Sequence, residues 1–462
     1  MGRTRPGQAR TELARARIRL GLSQHDAAEA VGVSPTAWGR WERGGQNLRP
    51  AYRARIARLF AVDPLTVEQW LDGTDAARRS TGTALFPVAD FEEQLSPSTV
   101  DSFDHLWRAD LDPARRDMLA ALPFVPAALG EWLTAWSFDP PLTLPIGRRA
   151  DGRVESADVA RIREAHAAFV RMDHQFGSGL IRPAVVDYLN TAVAPLLRRD
   201  CDDRVRSDLM SAASEMVLMA GWSAFDLGRH GQAQRYFGQA LQLAKAAGDP
   251  LAAVDVITTM TLQALHLREP VWAGRLAQAA VETARQAQAT PRVMAMLLTR
   301  QAWAIALQVN AAEGRDAHAA RQVGRLLNEA QDAYAKGSHD RDPSWLDWYE
   351  ETEPVAEAGR CWYLLGEHRR SADCVERCLA VYTERRFRTA QFTHVSAAEA
   401  YLGMGELEQA VEAARAAIPM ARRLTSARAI ERLHIFGDRL TPYDDTVQVR
   451  EFRDYLNRHL AA

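Results

Sequence analysis

The sequence predicts an all-α protein that combines a small arginine-rich N-terminal domain with a long array of helix pairs. Three observations support this prediction. Residues 17–44 read RIRLGLSQHDAAEAVGVSPTAWGRWERG, which is two short helical patterns joined by a glycine turn. Residues 1–80 hold 14 arginines against 8 acidic residues, whereas the rest of the chain holds 43 basic against 51 acidic residues. After residue 155 the composition is rich in alanine, and small residues recur in helical segments about forty residues apart.

The first helical pattern covers residues 24–31. Ser23 is a good N-cap for it, and its apolar residues share one face of a helix. Gly32 then allows the chain to turn. The second pattern begins with Ser34 as N-cap and Pro35 at the first helical position, where the missing N–H of proline costs nothing.

The second helix is predicted to end at Gly44 and to have two unlike faces. Trp38 and Trp41 are three residues apart and face inward together, whereas Thr36, Gly39, Arg40 and Arg43 face away from the core. A short helix of this kind can lie in the major groove of DNA. The alternative is a small helical bundle that binds protein or nothing at all.

Residues 10–73 have room for five short helices, which are predicted at 10–20, 24–31, 35–43, 50–60 and 64–71. Four features carry a family likeness: LGLSQ, the turn at Val33 and Ser34, the ending WERG and the closing AVDPLTVEQWLDGT. Through them the segment resembles the Cro/repressor-type helix-turn-helix family over about sixty residues. The resemblance implies a lambda-repressor-like domain, assigned to residues 7–73, with double-stranded DNA as its partner.

The resemblance also implies which side chains meet DNA, namely Gln24, Ser34, Pro35, Thr36, Ala37, Arg40, Arg43, Gln46 and Asn47. Gln24 corresponds to a residue that bonds a phosphate, and the last three match residues that grip the DNA backbone. Arg40 falls where the family reads bases, and its guanidinium can bond guanine O6 and N7 together. Arg17 and Glu42 match a family pair that forms a mostly buried, structural salt bridge.

Two residues depart from the family pattern. Pro35 offers no hydrogen bond where many relatives have a glutamine or an arginine. Gly39 removes a side chain from the middle of the reading helix and costs about 1 kcal/mol of helix propensity. Sequence preference is therefore expected to rest on Arg40 and Thr36, or on the shape of the DNA.

Residues 74–97 are predicted to be a linker, because they show no sustained helical period and are rich in Gly, Ser, Thr and Pro. Residues 98–154 are predicted to be a helical connector. Phe103, Leu106 and Trp107 suit one helix face, and the segment ends in the proline-rich WSFDPPLTLPIGRRADGR. Its middle part, DMLAALPFVPAALG, is equally compatible with a short docking segment.

Residues 155–460 are predicted to form an array of helix pairs. In GWSAFDLGRHGQAQRYFGQALQLA, which begins at Gly221, small and aromatic residues occupy the positions of the tetratricopeptide pattern. The frame returns near Ala273, Ala317, Gly359 and Ala398. Small residues let the helices of a pair approach closely, and the apolar remainder is buried only when neighbouring pairs stack. The expected fold is a curved tetratricopeptide-like α-solenoid whose concave wall consists of the first helices; a generic helical bundle is the alternative.

A second resemblance covers residues 155–425. The segment RIREAHAAFVRMDHQFGSGLIRPAVVDYLNTAVAPLLR, followed by the first repeat, resembles the C-terminal region of a group of actinobacterial regulators with an N-terminal helix-turn-helix. In layout alone, the chain is similar to peptide-sensing regulators of the Rgg/PlcR type. These likenesses imply a transcription regulator whose repeats serve dimerisation and the sensing of a peptide, a small molecule or a protein.

The repeat frame points a set of polar and aromatic side chains towards the concave wall. These candidate ligand-binding or partner-binding residues are Glu215, Trp222, Asp255, Thr258, Asn310, Trp348, Arg360 and Glu399. Asn310 has an amide suited to clamping a peptide backbone, and Trp348 belongs to the acidic, aromatic stretch SWLDWYEETEP. That stretch is also compatible with an ordinary helix start, and Arg360 and Glu399 are also compatible with a salt bridge to each other.

Catalytic motifs are not recognisable in the sequence, which lacks a P-loop, a GxSxG elbow, an HExxH motif and a dinucleotide-binding glycine pattern. The protein is therefore expected not to be an enzyme and to need no cofactor. Cys361, His368, Cys374 and Cys378 lie close in sequence, but Cys378 stands at a small-residue position of the repeat, so packing is favoured over a metal site. The four cysteines, without a signal peptide or an apolar run of membrane length, predict a reducing cytoplasm, no disulfides and no membrane partner.

Together these features predict a cytoplasmic, nucleoid-associated regulator of transcription that binds operator DNA as a homodimer. A two-fold operator would have half-sites about 34 Å apart or a multiple of that distance. The alternative is an adapter whose repeats bind a protein partner and whose helix-turn-helix does not read a DNA sequence.

Overall fold

The structure is a computed structural model that describes residues 13, 17, 22–42, 50–60, 100–138, 152–312, 316–382 and 387–460. In these ranges the regular elements are helices, and an isolated bridge joins Arg153 and Asp200. The all-α class predicted from the sequence is therefore confirmed. The chain divides into two compact units, Met1–Phe86 and Pro87–Ala462. The linker predicted at 74–97 lies outside the described residues.

The described part of the N-terminal unit contains three helices. They are α1 (Gln24–Val31), α2 (Pro35–Glu42) and α3 (Pro50–Phe60). Ser23 caps α1 in a reciprocal capping box with Asp26, and Gly32 makes the turn to α2 with a φ of +75°. The helices predicted at 10–20 and 64–71 lie outside the described residues, apart from Leu13 and Arg17.

The two tryptophans of α2 form the centre of this unit's core. Trp38 and Trp41 are both buried, as their spacing predicts, and their ring centroids lie 6.0 Å apart. Trp41 also packs on Tyr52 of α3, with 5.3 Å between ring centroids. Gly39 is buried as well, so the expectation that it faces outward with Thr36 is wrong. The packing of two large rings leaves only a narrow strip of α2 exposed.

In the described part of the second unit, six helices precede the repeats. They are α4 (Val100–Leu111), α5 (Pro113–Ala120), α6 (Pro126–Phe138), α7 (Ser156–Phe176), α8 (Ser178–Tyr188) and α9 (Ala194–Leu197). A single π-helical stretch, Leu189–Val193, joins α8 to α9.

The rest of this unit is a succession of helix pairs. In chain order the pairs are α10 (Asp203–Asp226) with α11 (His230–Ala247), α12 (Pro250–His266) with α13 (Pro270–Gln286), α14 (Pro291–Ala311) with α15 (Ala317–Tyr334), α16 (Thr352–Leu364) with α17 (His368–Leu379), α18 (Phe387–Met404) with α19 (Leu407–Arg423), and α20 (Ala427–Arg439) with α21 (Val447–His459). The five predicted copies are confirmed as helix pairs, and α20 with α21 adds a further pair after them. Gly221 shows why the frame requires a small residue, because a Cβ there would lie 2.7 Å from the ring of Phe237.

The segment predicted as a connector packs on the first pair. Trp107 of α4 is buried and donates through Nε1 to Oε1 of Gln239 on α11, at 2.9 Å. The backbone of Val125 is held by Gln234, whose amide accepts from the backbone N–H at 2.8 Å and donates to the carbonyl at 2.7 Å. Residues 100–138 therefore share one core with the repeats.

Close approach of this segment to α11 yields a stability prediction. A Cβ on Gly231 would overlap the carbonyl oxygens of Leu122 and Pro123, which are backbone atoms and cannot rotate away. Gly231→Ala is expected to lower the free energy of unfolding by about 1–3 kcal/mol, measured by urea titration. Gly324→Ala on α15 is the control, because its nearest neighbour would be 3.6 Å away. Equal stability of the two variants would contradict this docking geometry.

The first helices of the pairs form a row, and the helices near the end of this row contact the helices near its start. Each first helix contacts the next one along the row, and α18 also contacts α7. At this closure the backbone N–H of Thr425 donates to the carbonyl of Phe176, and its carbonyl accepts from the N–H of Gly179, both at 3.0 Å. A Cβ on Gly177 or Gly179 would lie 2.8 Å from Thr425. The first helices consequently surround an inner face that residues from distant pairs share.

Candidate functional site

Helix α2 presents a narrow outward strip. Ser34, Pro35, Thr36 and Arg40 are exposed, and Ala37 is half-buried. The hydroxyl of Ser34 accepts from the backbone N–H of Ala37 at 3.2 Å, which fixes the start of the helix. These residues are the ones that the resemblance assigns to DNA, and they occupy one continuous surface. Arg43, Gln46 and Asn47, which were assigned to the backbone contacts, lie outside the described residues.

The carboxylate of Glu42 joins three parts of the N-terminal unit. It accepts hydrogen bonds from Arg17 Nε at 2.7 Å, from Gln24 Nε2 at 2.6 Å and from Trp38 Nε1 at 2.8 Å. Burial by itself would raise the pKa of Glu42, but the hydrogen bonds from these three donors outweigh it and lower the pKa. The pair Arg17 and Glu42, assigned to a structural role, is thus part of a larger network that orients α2.

Gln24 belongs to both the network and the surface. Its side chain is exposed while its amide nitrogen donates to Glu42. An amide nitrogen has two N–H donors, so one remains for a further acceptor. The contact to Glu42 holds that second donor in a defined place at the start of α1.

A group of acidic residues occupies one part of the inner face of the repeats. Glu215 on α10 lies 3.8 Å from Nδ1 of His166 on α7. Burial raises the pKa of Glu215 to about 7 and lowers the pKa of His166 to about 4. Burial, reinforced by the charge of Glu215, raises the pKa of Asp255 on α12 to about 8. At neutral pH Asp255 is therefore mostly protonated and Glu215 is partly protonated, because burial disfavours the charged form of each carboxyl group.

Arg300 on α14 connects other predicted residues to this region. Its Nη1 donates to both the hydroxyl and the carbonyl of Thr258 at 3.0 Å, and its Cζ lies 5.9 Å from the ring centroid of Trp348. Glu357 on α16 balances its charge, with 3.5 Å between Arg300 Nε and a carboxylate oxygen. Arg300 also reduces the shift in the pKa of Asp255. Asp255, Thr258 and Trp348 are thus gathered around one guanidinium.

The raised pKa of Asp255 determines the sign of a pH effect. The unfolded chain ionises this group at its ordinary pKa of 3.8, whereas the folded chain retains the proton until about pH 8. The stability it contributes is thus full below pH 3.8, declines as the pH rises and is lost above about pH 8. Asp255→Asn is expected to raise Tm above about pH 8, by about 2–4 °C for each kcal/mol gained, and to leave Tm unchanged below pH 3.8. Asp340→Asn, at an exposed loop position, is the control for thermal scans across this pH range. If the Tm of Asp255→Asn differed from that of the wild type by the same amount at every pH, the assignment would be contradicted.

The other predicted residues lie in a second part of the inner face. Trp222 on α10 donates through Nε1 to Asp173 at 3.0 Å. Glu399 accepts from Arg432 at 2.6 Å and from Arg439 at 3.0 Å. Arg360 has its Cζ 5.1 Å from the ring centroid of Trp303. The alternative in which Arg360 pairs with Glu399 is wrong, because the carboxylate is taken by the two arginines of α20.

Asn310 lies at the end of α14 and has a different role. Its Oδ1 accepts from Arg268 at 2.8 Å and its Nδ2 donates to the carbonyl of Leu364 at 3.2 Å. These contacts tie the ends of α12, α14 and α16 together. Its amide is therefore already engaged between neighbouring pairs.

Several charged residues of the inner face were not predicted from the sequence. They are His166, Asp226, Arg300, Arg388, Arg428 and Arg432. Arg388 stands in α18, whose other residues are mostly apolar or small, and this is an available signal of a polar interior. Its partner Asp226, however, comes from a distant pair and accepts from Arg388 across 162 positions.

The cysteine segment forms packing contacts. Cys361 and Cys378 are buried, and the Sγ of Cys378 donates to the carbonyl of Thr352 at 3.4 Å. Burial raises the pKa of both thiols, that of Cys378 to about 12. Within the described residues, His, Cys, Asp and Glu side chains form no group with the geometry of a metal site. The described helices also include none that is long and apolar enough to cross a membrane.

Comparison with known families agrees with this division of the chain. A model described as a helix-turn-helix domain matches residues 8–70. A model described as a tetratricopeptide repeat matches residues 214–246, which cover the end of α10 and most of α11. A search of curated proteins found no match. The chain therefore carries a helix-turn-helix domain near its N-terminus and a tetratricopeptide repeat in its helical array.

Proposed function

We propose that this protein is a transcription regulator that reads operator DNA through the exposed strip of α2. The observation that carries the proposal is the arrangement of that helix. Trp38 and Trp41 anchor it in the core while Pro35, Thr36 and Arg40 remain exposed on the opposite side. The arginine-rich composition of residues 1–80 supplies the attraction to phosphates that such an approach needs.

The proposal includes a homodimer, with the repeats serving dimerisation and the sensing of a peptide, a small molecule or a protein. A two-fold protein binds a two-fold operator with half-sites about 34 Å apart or a multiple of that distance. A signal that binds the inner face would act by favouring one spacing of the two readers over another. The proposed chemistry is binding, without a catalytic step.

Arg40 provides the test of DNA reading. The purified wild-type protein is used to recover genomic DNA fragments at a stated salt concentration. The recovered fragments are expected to be enriched in an inverted repeat. Arg40→Ala should lose this preference, since an arginine bonded to guanine contributes about 1–3 kcal/mol of discrimination. Arg40→Lys is the matched control, because it keeps the charge but not the paired hydrogen bonds. It should bind DNA in a salt-sensitive manner without enriching the repeat.

Three outcomes would contradict the proposal. Enrichment of the same repeat by Arg40→Ala would remove Arg40 from the reading role, and enrichment of an unrepeated site would argue against the dimer. Equal, salt-sensitive recovery by all three proteins would leave only general attraction to phosphates. That last result would favour the second candidate function, an adapter, which the tetratricopeptide match at residues 214–246 supports.

A further inference from the structure

Guanidinium groups outnumber their carboxylate partners on the inner face where α16, α18 and α20 meet. The arginines there are Arg360, Arg388, Arg428, Arg432 and Arg439, and the carboxylates paired with them are Asp173, Asp226 and Glu399. Glu431 lies nearby but accepts from His266, at 3.3 Å. Arg432 and Arg439 share the single carboxylate of Glu399, and Arg388 lies closer to Asp226 than Arg428 does. The positive charges in this part of the inner face therefore exceed the negative charges.

Arg428 is a buried member of this group with unmade hydrogen bonds. Only 8% of the residue is exposed, and its Nε and Nη1 are buried without a hydrogen-bond partner in the described part of the chain. Its nearest carboxylate oxygen, on Asp226, is 3.8 Å away and also accepts from Ser426 at 2.9 Å. A buried guanidinium with unmade hydrogen bonds is costly, so an added acceptor would be strongly favoured here.

Arg360 adds a second uncompensated charge. It rests on Trp303 and forms no ion pair with the described residues. Burial, together with the like charges of Arg388 and Arg360, lowers the pKa of Arg428 to about 10 in spite of Asp226. The two arginines come from α16 and α20 and act on the same region of the inner face.

Aromatic rings surround these charges. The Cζ of Arg428 lies 4.2 Å from the ring centroid of Phe225, 5.1 Å from that of Trp222 and 5.2 Å from that of Phe392. Arg432 lies over the same Phe392 ring, at 5.6 Å. Flat apolar walls next to charged donors are typical of sites for small organic ligands.

We propose that the inner face of the repeats binds a small organic anion, with a carboxylate or phosphate group at Arg360 and Arg428 and an apolar body against the surrounding rings. Such a group would accept the hydrogen bonds that Arg428 lacks and would neutralise the excess charge. The inference rests on the proposed sensing role of the repeats and specifies the chemistry of the signal.

Isothermal titration of the full chain tests this site without any operator. The probes are phenyl phosphate, benzoate and the neutral analogue benzamide, which separate the two anionic groups from the shared ring. The variants are Arg428→Gln and Arg360→Gln. Arg321→Gln, on the exposed side of α15, is the control because it makes the same change of charge away from the inner face. Circular dichroism verifies that each variant is folded. If Arg428→Gln does not fold, the Kd of Arg360→Gln alone tests the proposal.

The wild type and Arg321→Gln are expected to bind at least one anion, and the tighter probe identifies the group. Arg428→Gln and Arg360→Gln should weaken its Kd by about ten- to a hundredfold, and benzamide should not bind. The inference is overturned by absence of binding of both anions to the wild type, by an unchanged Kd in both variants, or by equal affinity for benzamide and benzoate. Loss of operator reading in the Arg40 experiment would leave these titrations unaffected, so failures of the two proposals are distinguishable.

Discussion

Replacing Glu42 by alanine is expected to unfold much of the N-terminal unit and to abolish DNA binding. The carboxylate accepts from Arg17, Gln24 and Trp38, all within 2.8 Å. Its removal leaves the largely buried guanidinium of Arg17 without a carboxylate partner, with only the carbonyl of Leu22 still accepting from Nη1, and leaves a buried indole N–H without an acceptor. The expected cost is about 3–5 kcal/mol. A small domain has a free energy of unfolding of about 5–15 kcal/mol, so the loss is a large share of the total.

Hydrogen exchange of peptides within residues 24–42 of the full chain is the measurement that isolates this unit. Glu42→Ala should lose protection in α1 and α2, whereas Glu29→Ala, at an exposed position on α1, should keep it. Because the folded pKa of Glu42 lies below its ordinary value of 4.5, its contribution is present above that pH and is lost as the pH falls through the folded pKa. Wild-type protection should therefore decline in acid faster than that of Glu42→Gln. Full protection in Glu42→Ala would show that the network is dispensable.

The second large effect is expected from Asp226→Ala at the closure of the repeat row. Asp226 is fully buried and accepts from Arg388 Nη2 at 3.0 Å and from the hydroxyl of Ser426 at 2.9 Å. It also faces Arg428 at 3.8 Å. Without this carboxylate, two buried guanidinium groups lose a common counter-charge, and the expected loss of stability is again about 3–5 kcal/mol.

Urea titration, with hydrogen exchange of α18 and α20, checks this prediction. Asp332→Ala on the exposed side of α15 is the control and should change the free energy of unfolding by less than about 0.5 kcal/mol. Ser426→Ala should produce a smaller loss of about 2 kcal/mol, since it removes the hydrogen bond to Asp226 and the N-cap bond from the backbone N–H of Ala429, but no charge. A large loss with Ser426→Ala and none with Asp226→Ala would mean that the ion pairs do not hold the closure.

Helix boundaries were predictable wherever a local signal exists. Ser23, Gly32 and Pro35 delimit α1 and α2, and the structure starts and ends α1 at the predicted residues. Capping and turn formation involve residues three or four positions apart. The predicted burial of Trp38 and Trp41 depends on the same short spacing.

The candidate ligand residues were only partly predictable. The repeat frame placed Glu215, Trp222 and Asp255 on first helices, and the structure has them on α10 and α12. The frame did not indicate their partners, His166 and Asp173, because these belong to α7, which precedes the repeats and has no repeat pattern of its own. Asn310 was assigned to a ligand on chemistry alone, and its amide instead joins neighbouring pairs.

By itself, the sequence determined the all-α class, the order of the helix-turn-helix and the repeats, and the division of α2 into a buried and an exposed side. These properties follow from periodicity and capping, which act within a few residues. Only the tertiary structure decided that the row of pairs closes and that Asp226 meets Arg388, 162 positions away. The reason is physical, because each stacked pair adds a small rotation to the array. The sum of those rotations determines which side chains face each other on the inner face. No local sequence pattern contains that sum.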